Sequence, residues 1–529
     1  MLANRIVLSA VLALGASVGQ TALAKANQIT AKGSSPQDDE LKEAAQTGSQ
    51  SQQSLWEKAE KLRKAPGISL ENKGAILLVE AQILLRAGYP VLAASYAAEG
   101  LKLKADPFDP SLHRAWDLLS QVIKVRQVHY ILEDLAVALT PKLGAKLPPV
   151  FGNDWNYIQG NALAAAGKDN LAFDFYKKVR LADRYFMPAQ YQAAMIAIND
   201  GKEGEAEVLL KAILNPTAVA ISPLPAQDRF EMRNYALMAL GRLYYQRREF
   251  VESVKSYRKV AKTSPLFYDA LFEQSWALFM SGYPGHSLGS LHSVGSPFFK
   301  TQFNPEAKVL EAIEYYWICR YDESRNALAD FADKHYEAVE SLGNFLNRQR
   351  LSPTAAYQLF EDVISGVSGQ SIGIPRDVLV TAAQRDTMLL VRDQFATVIE
   401  EKNRLDSKGL FKDEEGASQL KDRLEGHVQK LRLALGTQYI EELRGMKSQF
   451  EDLYAQSQFL YLELLMSEKE RTLGHELHSE SKLTSVTANL DIKGWGKKTQ
   501  YWNGGVDSEF WWDEVGYYVI RVQPACNLR

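Results

Sequence analysis

The sequence is poor in the residues that build chemical sites. Its 529 residues include only two cysteines and eight histidines, and its net charge is -3 at pH 7. Two cysteines are too few for a disulfide framework, and a net charge near zero supplies no field that would attract nucleic acid. Beyond the first residues, no run approaches the roughly 20 apolar residues of a membrane-spanning helix. These absences argue against a nucleic-acid-binding protein and against a membrane span in the mature chain.

A single bridge between the two cysteines is the alternative to two unbridged thiols. Cys319 lies in a segment whose apolar spacing predicts a helix, and Cys526 lies close to the end of the sequence. Neither position is typical of a structural disulfide, so the sequence favours unbridged cysteines.

No catalytic constellation is apparent. His475 and His478 are the closest pair of histidines, with Glu476 between them. Zinc proteases of the zincin type need three residues between such histidines, and here there are two, so solvated side chains near a helix end are favoured. Phosphate-binding glycine loops and serine elbows are also absent from the sequence. We therefore predict a protein that is not an enzyme, with no catalytic, cofactor-binding or metal-binding residues.

The first 24 residues have the order of a secretory signal peptide. Arg5 precedes an apolar run from Ile6 to Ala16, and the small pair Ala22 and Ala24 follows. This order predicts cleavage after Ala24 and export, with a membrane anchor as the alternative. The bacterial style of the signal favours the periplasm and leaves outer-membrane association open.

The composition then changes four times along the chain. Residues 25–54 are polar and nearly free of large apolar side chains, which predicts a disordered linker. Residues 55–345 contain paired amphipathic segments separated by Gly or Pro turns. Residues 346–480 predict long helices, and residues 481–529 form an aromatic C-terminal segment that is β-leaning and rich in turns.

The clearest paired segment lies near residue 241. It contains Leu240 and Gly241, then Tyr244, Ser253, Tyr257 and Pro265. This pattern resembles the tetratricopeptide repeat (TPR), in which small residues let two antiparallel helices approach closely and proline ends the second helix. The resemblance implies a right-handed solenoid of stacked helix pairs that binds other proteins.

One small residue marks the first helix of each predicted pair. Three of the steps between successive markers are 34 residues long, which is the TPR period. The markers are Ala81, Ala115, Gly160, Ala194, Gly241, Ser275 and Ala312. Gln127 stands where the Ala115 unit needs a small residue, so we expect that unit to differ. The predicted fold class is all-α: a TPR-like solenoid over 55–345, a long antiparallel helical hairpin over 346–480 and a short Trp-rich tail.

Positions three before, one after and four after each marker are expected on the concave face of the solenoid. These side chains are aromatic and apolar, which fits an aromatic or apolar partner segment, although some are also suited to packing between repeats. The predicted groove residues are Tyr157, Asn161, Tyr191, Met195, Met238, Arg242, Tyr245, Phe272, Trp276, Phe279, Ile313 and Tyr316.

The helical hairpin is predicted from charged, proline-free sequence. Residues 378–405 and 420–473 read as continuous helices, and the turn-rich stretch 406–418 would let them fold back on each other. Apolar spacing is too irregular for a strict coiled coil. The expected seam residues are Phe395, Val398, Leu405, Leu424, Val428 and Leu431.

The end of the chain, "DSEFWWDEVGYYVIRV", is unusually aromatic. Its pattern predicts a helical half over 510–515 that ends at Gly516, then a short strand over 517–522. Five rings in water would promote aggregation, so we expect the segment either to cap its own chain or to dock on a partner. The residues concerned are Phe510, Trp511, Trp512, Tyr517 and Tyr518.

The stretch "SEFWWDEVGYY" is also similar to the "GEYWRDELGYY" type of ending found in helical-repeat envelope proteins of predatory and gliding bacteria, including periplasmic TPR components of adventurous gliding machinery. Ser508 and Trp512 depart from that ending. The likeness implies membership of a multiprotein envelope or motility complex. We therefore predict an exported, non-enzymatic scaffold that binds envelope proteins or peptide segments. The alternative is a peptidoglycan-remodelling hydrolase with a helical platform.

Overall fold

The computed structural model describes residues 49–107, 109–125, 128–139, 152–300, 302–348, 351–366, 373–408, 414–473, 500–502 and 510–525. The described residues form twenty α-helices and two three-residue strands. The prediction of an all-α fold is therefore confirmed. The predicted signal peptide and the residues from His475 to His478 lie outside the described residues.

The chain divides into two compact units. The first unit combines Met1–Met232 with Leu389–Leu435, and the second combines Arg233–Met388 with Gly436–Arg529. Helices wholly in the first unit are α1 (Ser49–Arg63), α2 (Leu70–Arg86), α3 (Pro90–Leu103), α4 (His113–Val125), α5 (His129–Leu139), α6 (Gly152–Ala165), α7 (Asp169–Lys177), α8 (Phe186–Asn199), α9 (Glu203–Leu214) and α10 (Pro216–Ile221).

The second unit holds seven further helices and both strands. These are α12 (Phe250–Tyr257), α13 (Phe267–Met280), α14 (Pro284–Val294), α15 (Glu306–Trp317), α16 (Tyr321–Arg348), α17 (Pro353–Ile364), α18 (Arg376–Ala383), β1 (Gln500–Trp502) and β2 (Tyr518–Ile520). Three helices contribute residues to both units: α11 (Ala226–Gln246), α19 (Asp386–Lys408) and α20 (Glu414–Thr472).

Six helix pairs among the described residues share one turn. In each pair, the residue seven positions after the marker has a positive φ, between 59° and 87°. The next residue donates its amide to a carbonyl five residues earlier at 2.8–3.0 Å, which ends the first helix in a left-handed cap. The positive-φ residues are Gly88, Gly167, Gly201, Arg248, Gly282 and Cys319.

The two helices of a pair also meet at a recurring contact. Ser253 Oγ donates to the carbonyl of Gly241 at 2.7 Å, and Ser287 Oγ donates to that of Ser275 at the same distance. Ser324 Oγ makes the same bond to Ala312 at 2.8 Å. These three hydroxyls each lie twelve residues after their marker. The markers of the second unit thus sit at the closest approach of their helix pairs.

The unit around Ala115 differs, as the sequence predicted. Its marker lies in α4, and the position seven residues later is Val122, which is buried within the same helix. The left-handed turn of the other pairs is therefore missing at that position, and α5 follows as a separate short helix.

Several predicted boundaries are corrected by the structure. Helix α1 begins at Ser49, inside the predicted disordered linker 25–54. Helix α16 runs from Tyr321 to Arg348 and so crosses the predicted boundary between residues 345 and 346. The helix predicted over 378–405 is interrupted at Gln384 and Arg385, between the end of α18 and the start of α19. The predicted loop 406–418 is shorter, because α19 continues to Lys408 and α20 starts at Glu414.

Within the first unit, α19 and α20 run antiparallel. Lys402 pairs with Glu425 at 2.6 Å, and Asp406 pairs with Lys421 at 2.9 Å, so the residue numbers rise on one helix as they fall on the other. Five of the six expected seam residues are buried, namely Val398, Leu405, Leu424, Val428 and Leu431. Phe395, the sixth, is half-buried.

Candidate functional site

The predicted groove residues of the first unit are buried. Tyr157 is 1% exposed and stacks on Tyr185 with 4.6 Å between ring centroids. The Asn161 side-chain oxygen accepts a hydrogen bond from the Tyr176 hydroxyl at 2.9 Å. Tyr191 and Met195 are buried as well. These four side chains fill the interior of the unit and present no surface to a partner in this conformation.

The second unit keeps part of the predicted groove accessible. Arg242 is exposed and forms a two-pronged contact with Glu273, with its Nε 2.8 Å from Oε2 and 3.1 Å from Oε1. Tyr245 and Trp276 are half-buried. We call Arg242, Tyr245 and Trp276 the binding row.

Glu306 lies beside the aromatic members of this row. Trp276 Nε1 donates to Glu306 Oε1 at 3.1 Å, and Gln449 Nε2 donates to Oε2 at 3.3 Å. The pKa of the Glu306 carboxyl is raised overall, because the effect of burial exceeds the lowering by these two hydrogen bonds. Burial likewise raises the pKa of Tyr245, and the Glu306 charge adds to that rise. The binding row therefore combines two aromatic rings with one cation, Arg242, and lies beside the carboxylates of Glu273 and Glu306.

The remaining predicted groove residues of the second unit contact their own chain. Phe279 and Met238 are buried. Phe272 and Ile313 are half-buried and, like Trp276, pack against buried core clusters of this unit. The Tyr316 hydroxyl lies 3.2 Å from the Ser467 hydroxyl on α20. Met238 and Phe279 are therefore closed to a partner, while Phe272, Ile313 and Tyr316 are partly accessible.

The C-terminal tail, defined as residues 510–525, lies across α14. Strand β2 passes over Gly285 and Gly289, and β1 pairs with β2 in parallel, with Gln500 opposite Tyr518. A Cβ atom on Gly285 would lie 2.6 Å from the Ile520 carbonyl oxygen, and one on Gly289 would overlap the Tyr518 carbonyl. Glycine at both positions is therefore what lets the strand backbone contact the helix.

Two polar side chains hold the tail before β2 begins. Lys262 Nζ donates to the carbonyls of Trp512, Asp513 and Val515 at 2.9, 3.0 and 2.8 Å. The Gly516 amide, at φ 86°, donates to Ser293 Oγ at 2.9 Å. The sequence predicted a helical half that ends at Gly516, and the structure has one hydrogen-bonded turn there. The predicted strand over 517–522 is present over Tyr518–Ile520.

The tail aromatics divide into packed and exposed rings. The His292 ring lies 3.9 Å from Trp502, 4.7 Å from Phe510 and 5.4 Å from Tyr518, measured between centroids. Burial, aided by the Lys308 charge, lowers the pKa of His292 to about 4. Arg258 lies over the Tyr517 ring, whereas Trp511 and Trp512 remain exposed. The tail therefore packs on its own chain and still displays two indoles.

The far end of the tail is attached near a repeat turn. The Ala525 amide donates to the Ile318 carbonyl at 2.9 Å, next to Cys319. Cys319 is disulfide-bonded, and Cys526, the one other cysteine in the sequence, lies outside the described residues. Cys319 also occupies the left-handed turn after α15 rather than a helix. The expectation of an unbridged helical Cys319 was therefore wrong, because α15 ends at Trp317 and Cys319 takes the left-handed conformation of the turn that follows.

Sequence reasoning missed the anchors Lys262 and Ser293 and the glycine pair of α14. The spacing of Gly285 and Gly289 was a usable signal, since glycines four apart share one helix face and allow a close backbone approach. No comparable signal marked Lys262.

The described part of the chain contains no cluster of three or more His, Cys, Asp or Glu that could hold a metal ion. None of its helices is both long and apolar enough to cross a membrane. A comparison with known protein families finds no match, and a comparison with curated proteins finds none that is similar in sequence.

Proposed function

We propose that the chain is an exported, non-enzymatic protein-binding scaffold of the bacterial cell envelope, built from TPR-like helix pairs that stack as a solenoid and carry a long helical hairpin. The observation that carries this proposal is the repeated pair geometry, in which six pairs share one left-handed turn and small residues stand at the closest approach. Helix pairs of this kind stack into surfaces that bind other proteins.

The binding row is the surface that we assign to the partner. It replaces the twelve-residue groove expected from the sequence, because six of the twelve side chains are buried and three more, Phe272, Ile313 and Tyr316, contact their own unit. Half-buried aromatic side chains beside an Arg are typical of interface hot spots. The partner that fits is an aromatic or apolar segment of another envelope protein, with basic groups able to meet Glu273 and Glu306.

The tail is assigned a capping role in the same proposal. Its strand covers α14, and Val515 and Tyr518 are buried against α13. Covering this surface prevents the apolar faces of α13 and α14 from meeting water. The similarity of the tail to endings of gliding-machinery proteins adds support for a place in an envelope or motility complex.

The test of the binding row is a pair of double variants. Tyr245→Ala with Trp276→Ala should strongly weaken partner crosslinks detected by mass spectrometry on intact envelopes, because truncating an aromatic hot-spot residue costs about 2 kcal/mol or more. Leu171→Ala with Val208→Ala is the matched control, since both side chains are exposed on second helices of the first unit. Crosslinks that persist in the first double variant would contradict the binding row.

Export has its own test. N-terminal sequencing of protein recovered from the envelope should begin at Lys25, as the small pair Ala22 and Ala24 predicts. Recovery of the chain with Met1 retained would contradict the export step.

A further inference from the structure

The outer face of α20 near its C-terminal end is apolar and open to solvent. Phe459 is 63% exposed, Leu462 58%, Met466 64% and Leu473 61%. Leu473 follows the last residue of α20, and its amide donates to the Lys469 carbonyl at 3.0 Å, so the helical course continues to it. We call these four residues the outer stripe.

The outer stripe has the spacing of a coiled-coil seam. Together with Lys469, its members follow one another at intervals of three, four, three and four residues. This is the a and d pattern of two heptads, with one charged residue at a d position. Irregular spacing elsewhere in the hairpin obscured this local pattern in the sequence.

The same stretch of helix is already anchored by its other face. Leu453, Ser457, Leu460, Leu464 and Ser467 are buried. At 100° per residue, the centre of that buried face is turned about 150° from the outer stripe. The helix is therefore held by its own unit on one side while a second, heptad-spaced face points to solvent. Apolar patches of this kind mark protein interaction sites.

Charges on the stripe indicate which helix covers it. Lys469 and Glu470 are adjacent and both exposed. In a parallel, in-register coiled coil, each d residue lies beside the following e residue of the other helix. Two copies of this stretch would therefore bring Lys469 of one chain to Glu470 of the other, twice. An antiparallel pairing of Leu462 with Met466 would instead set Lys469 against Phe459, without a carboxylate partner.

We propose that the outer stripe joins two copies of this chain in a parallel, two-stranded coiled coil over Phe459 to Leu473. Leu462 and Met466 form its central layers, and the reciprocal Lys469 and Glu470 pairs set its register. With only two heptads the contact is small, so the dimer dissociates with a Kd on the order of 1–100 μM. This association does not depend on the binding row.

Sedimentation velocity of the full exported chain over a concentration series tests the dimer. The wild-type chain should convert from monomer to dimer as its concentration rises. Met466→Glu should weaken the dimer by about tenfold or more, because the charge is forced into a seam layer. Val208→Glu is the matched control on an exposed apolar residue of the first unit and should leave the dimer unchanged. Unchanged circular dichroism melting of both variants shows that folding is intact.

A charge exchange tests the register. Lys469→Glu and Glu470→Lys should each weaken the dimer, because each creates a like-charge pair across the seam, and the double exchange should restore it. A wild-type chain that stays monomeric throughout the concentration series overturns the proposal. If residues 459–473 of that monomer also exchange their amide hydrogens slowly, another segment of the same chain covers the outer stripe. A dimer that tolerates Met466→Glu, or that the double exchange does not restore, also overturns it.

Discussion

Glu401 Oε1 accepts a hydrogen bond from the backbone amide of Leu92 at 2.8 Å, and Glu401 Oε2 accepts one from the amide of Val91 at the same distance. Both amides lie in the first turn of α3, where main-chain donors have no partner within the helix. A buried carboxylate on α19 thus caps a repeat helix. Arg404, less than one turn further along α19, donates to the Gly88 carbonyl at 2.8 Å, so the same helix also holds the preceding turn.

We expect Glu401→Gln to lower the free energy of unfolding by about 1–3 kcal/mol, because the substitution leaves one α3 amide without its acceptor and removes a charge that the helix N-terminus stabilises. Urea unfolding followed by circular dichroism measures the change. The adjacent Glu400→Gln is the control, since its carboxylate pairs with Arg404 in a largely exposed position and should cost under about 1 kcal/mol. Equal losses in the two variants would contradict the cap.

Gly241→Leu should be strongly destabilising, because a Cβ atom at this position would overlap the Tyr257 ring. Overpacking of this kind typically costs about 1–3 kcal/mol. Gly445→Leu is the matched control in α20, where a Cβ atom meets no neighbour within 4 Å. There the gain in helix propensity should leave the thermal midpoint unchanged or slightly higher. A similar fall in both variants would refute the close approach at the repeat marker.

Gly289→Ala should displace the tail, because the added methyl group would overlap the Tyr518 carbonyl. We expect faster chymotryptic cleavage at Tyr517 and Tyr518 and loss of hydrogen-exchange protection over β2. Gly295→Ala, at the end of α14, provides the comparison, since its nearest neighbours are at an ordinary 3.7 Å. Intact protection of β2 in Gly289→Ala would mean that the tail tolerates a side chain beneath it.

Acid should weaken the first unit through His129. Burial, aided by the Arg184 charge, lowers the pKa of this imidazole to about 4 in the folded chain. Between pH 6.5 and 4 the unfolded chain therefore binds a proton that the folded chain excludes, so stability falls as the pH falls. With an ordinary histidine pKa of about 6.5 in the unfolded chain, the loss in the free energy of unfolding reaches about 3 kcal/mol near pH 4.

His129→Phe removes this titration. The free energy of unfolding of the variant, taken relative to wild type, should rise by up to about 3 kcal/mol between pH 7 and pH 4. Comparing two pH values cancels the packing cost of the substitution itself, as well as every other titration the two proteins share. A difference that is the same at both pH values would show that His129 is not the titrating group.

The close approach of the two helices at Gly241 could be predicted from sequence because the contact is local. A small residue at Gly241 and an aromatic at Tyr257 are sixteen positions apart, and one pair of helices contains both. Whether a helix face is exposed or covered depends on residues that are distant in the sequence. Tyr96 looked like an ordinary helical residue, yet Arg423 lies over its ring at 4.1 Å, more than three hundred residues later in the sequence. Periodicity identifies the apolar face of a helix but not the segment that covers it.

The local structure of the C-terminal tail could also be predicted from sequence, whereas its place of attachment could not. Its turn and strand followed from Gly516 and the β-branched run, which are local signals. Its attachment did not, because Lys262 reaches three carbonyls about 250 residues away and nothing in its own neighbourhood distinguishes it from a solvated lysine.

The residue of the second helix that contacts the marker is small in these pairs, and it is either serine or alanine. The three pairs of the second unit place a serine at the contact, while the pairs marked by Gly160 and Ala194 place Ala172 and Ala206 at the equivalent, fully buried positions. Where alanine stands, the marker carbonyl receives no hydroxyl hydrogen bond and retains only its place in the backbone hydrogen bonding of its helix. Serine and alanine therefore both fit at this contact, and a larger side chain would have to displace the neighbouring helix. Searches for related chains that score residue size at this position should detect repeats that residue identity overlooks.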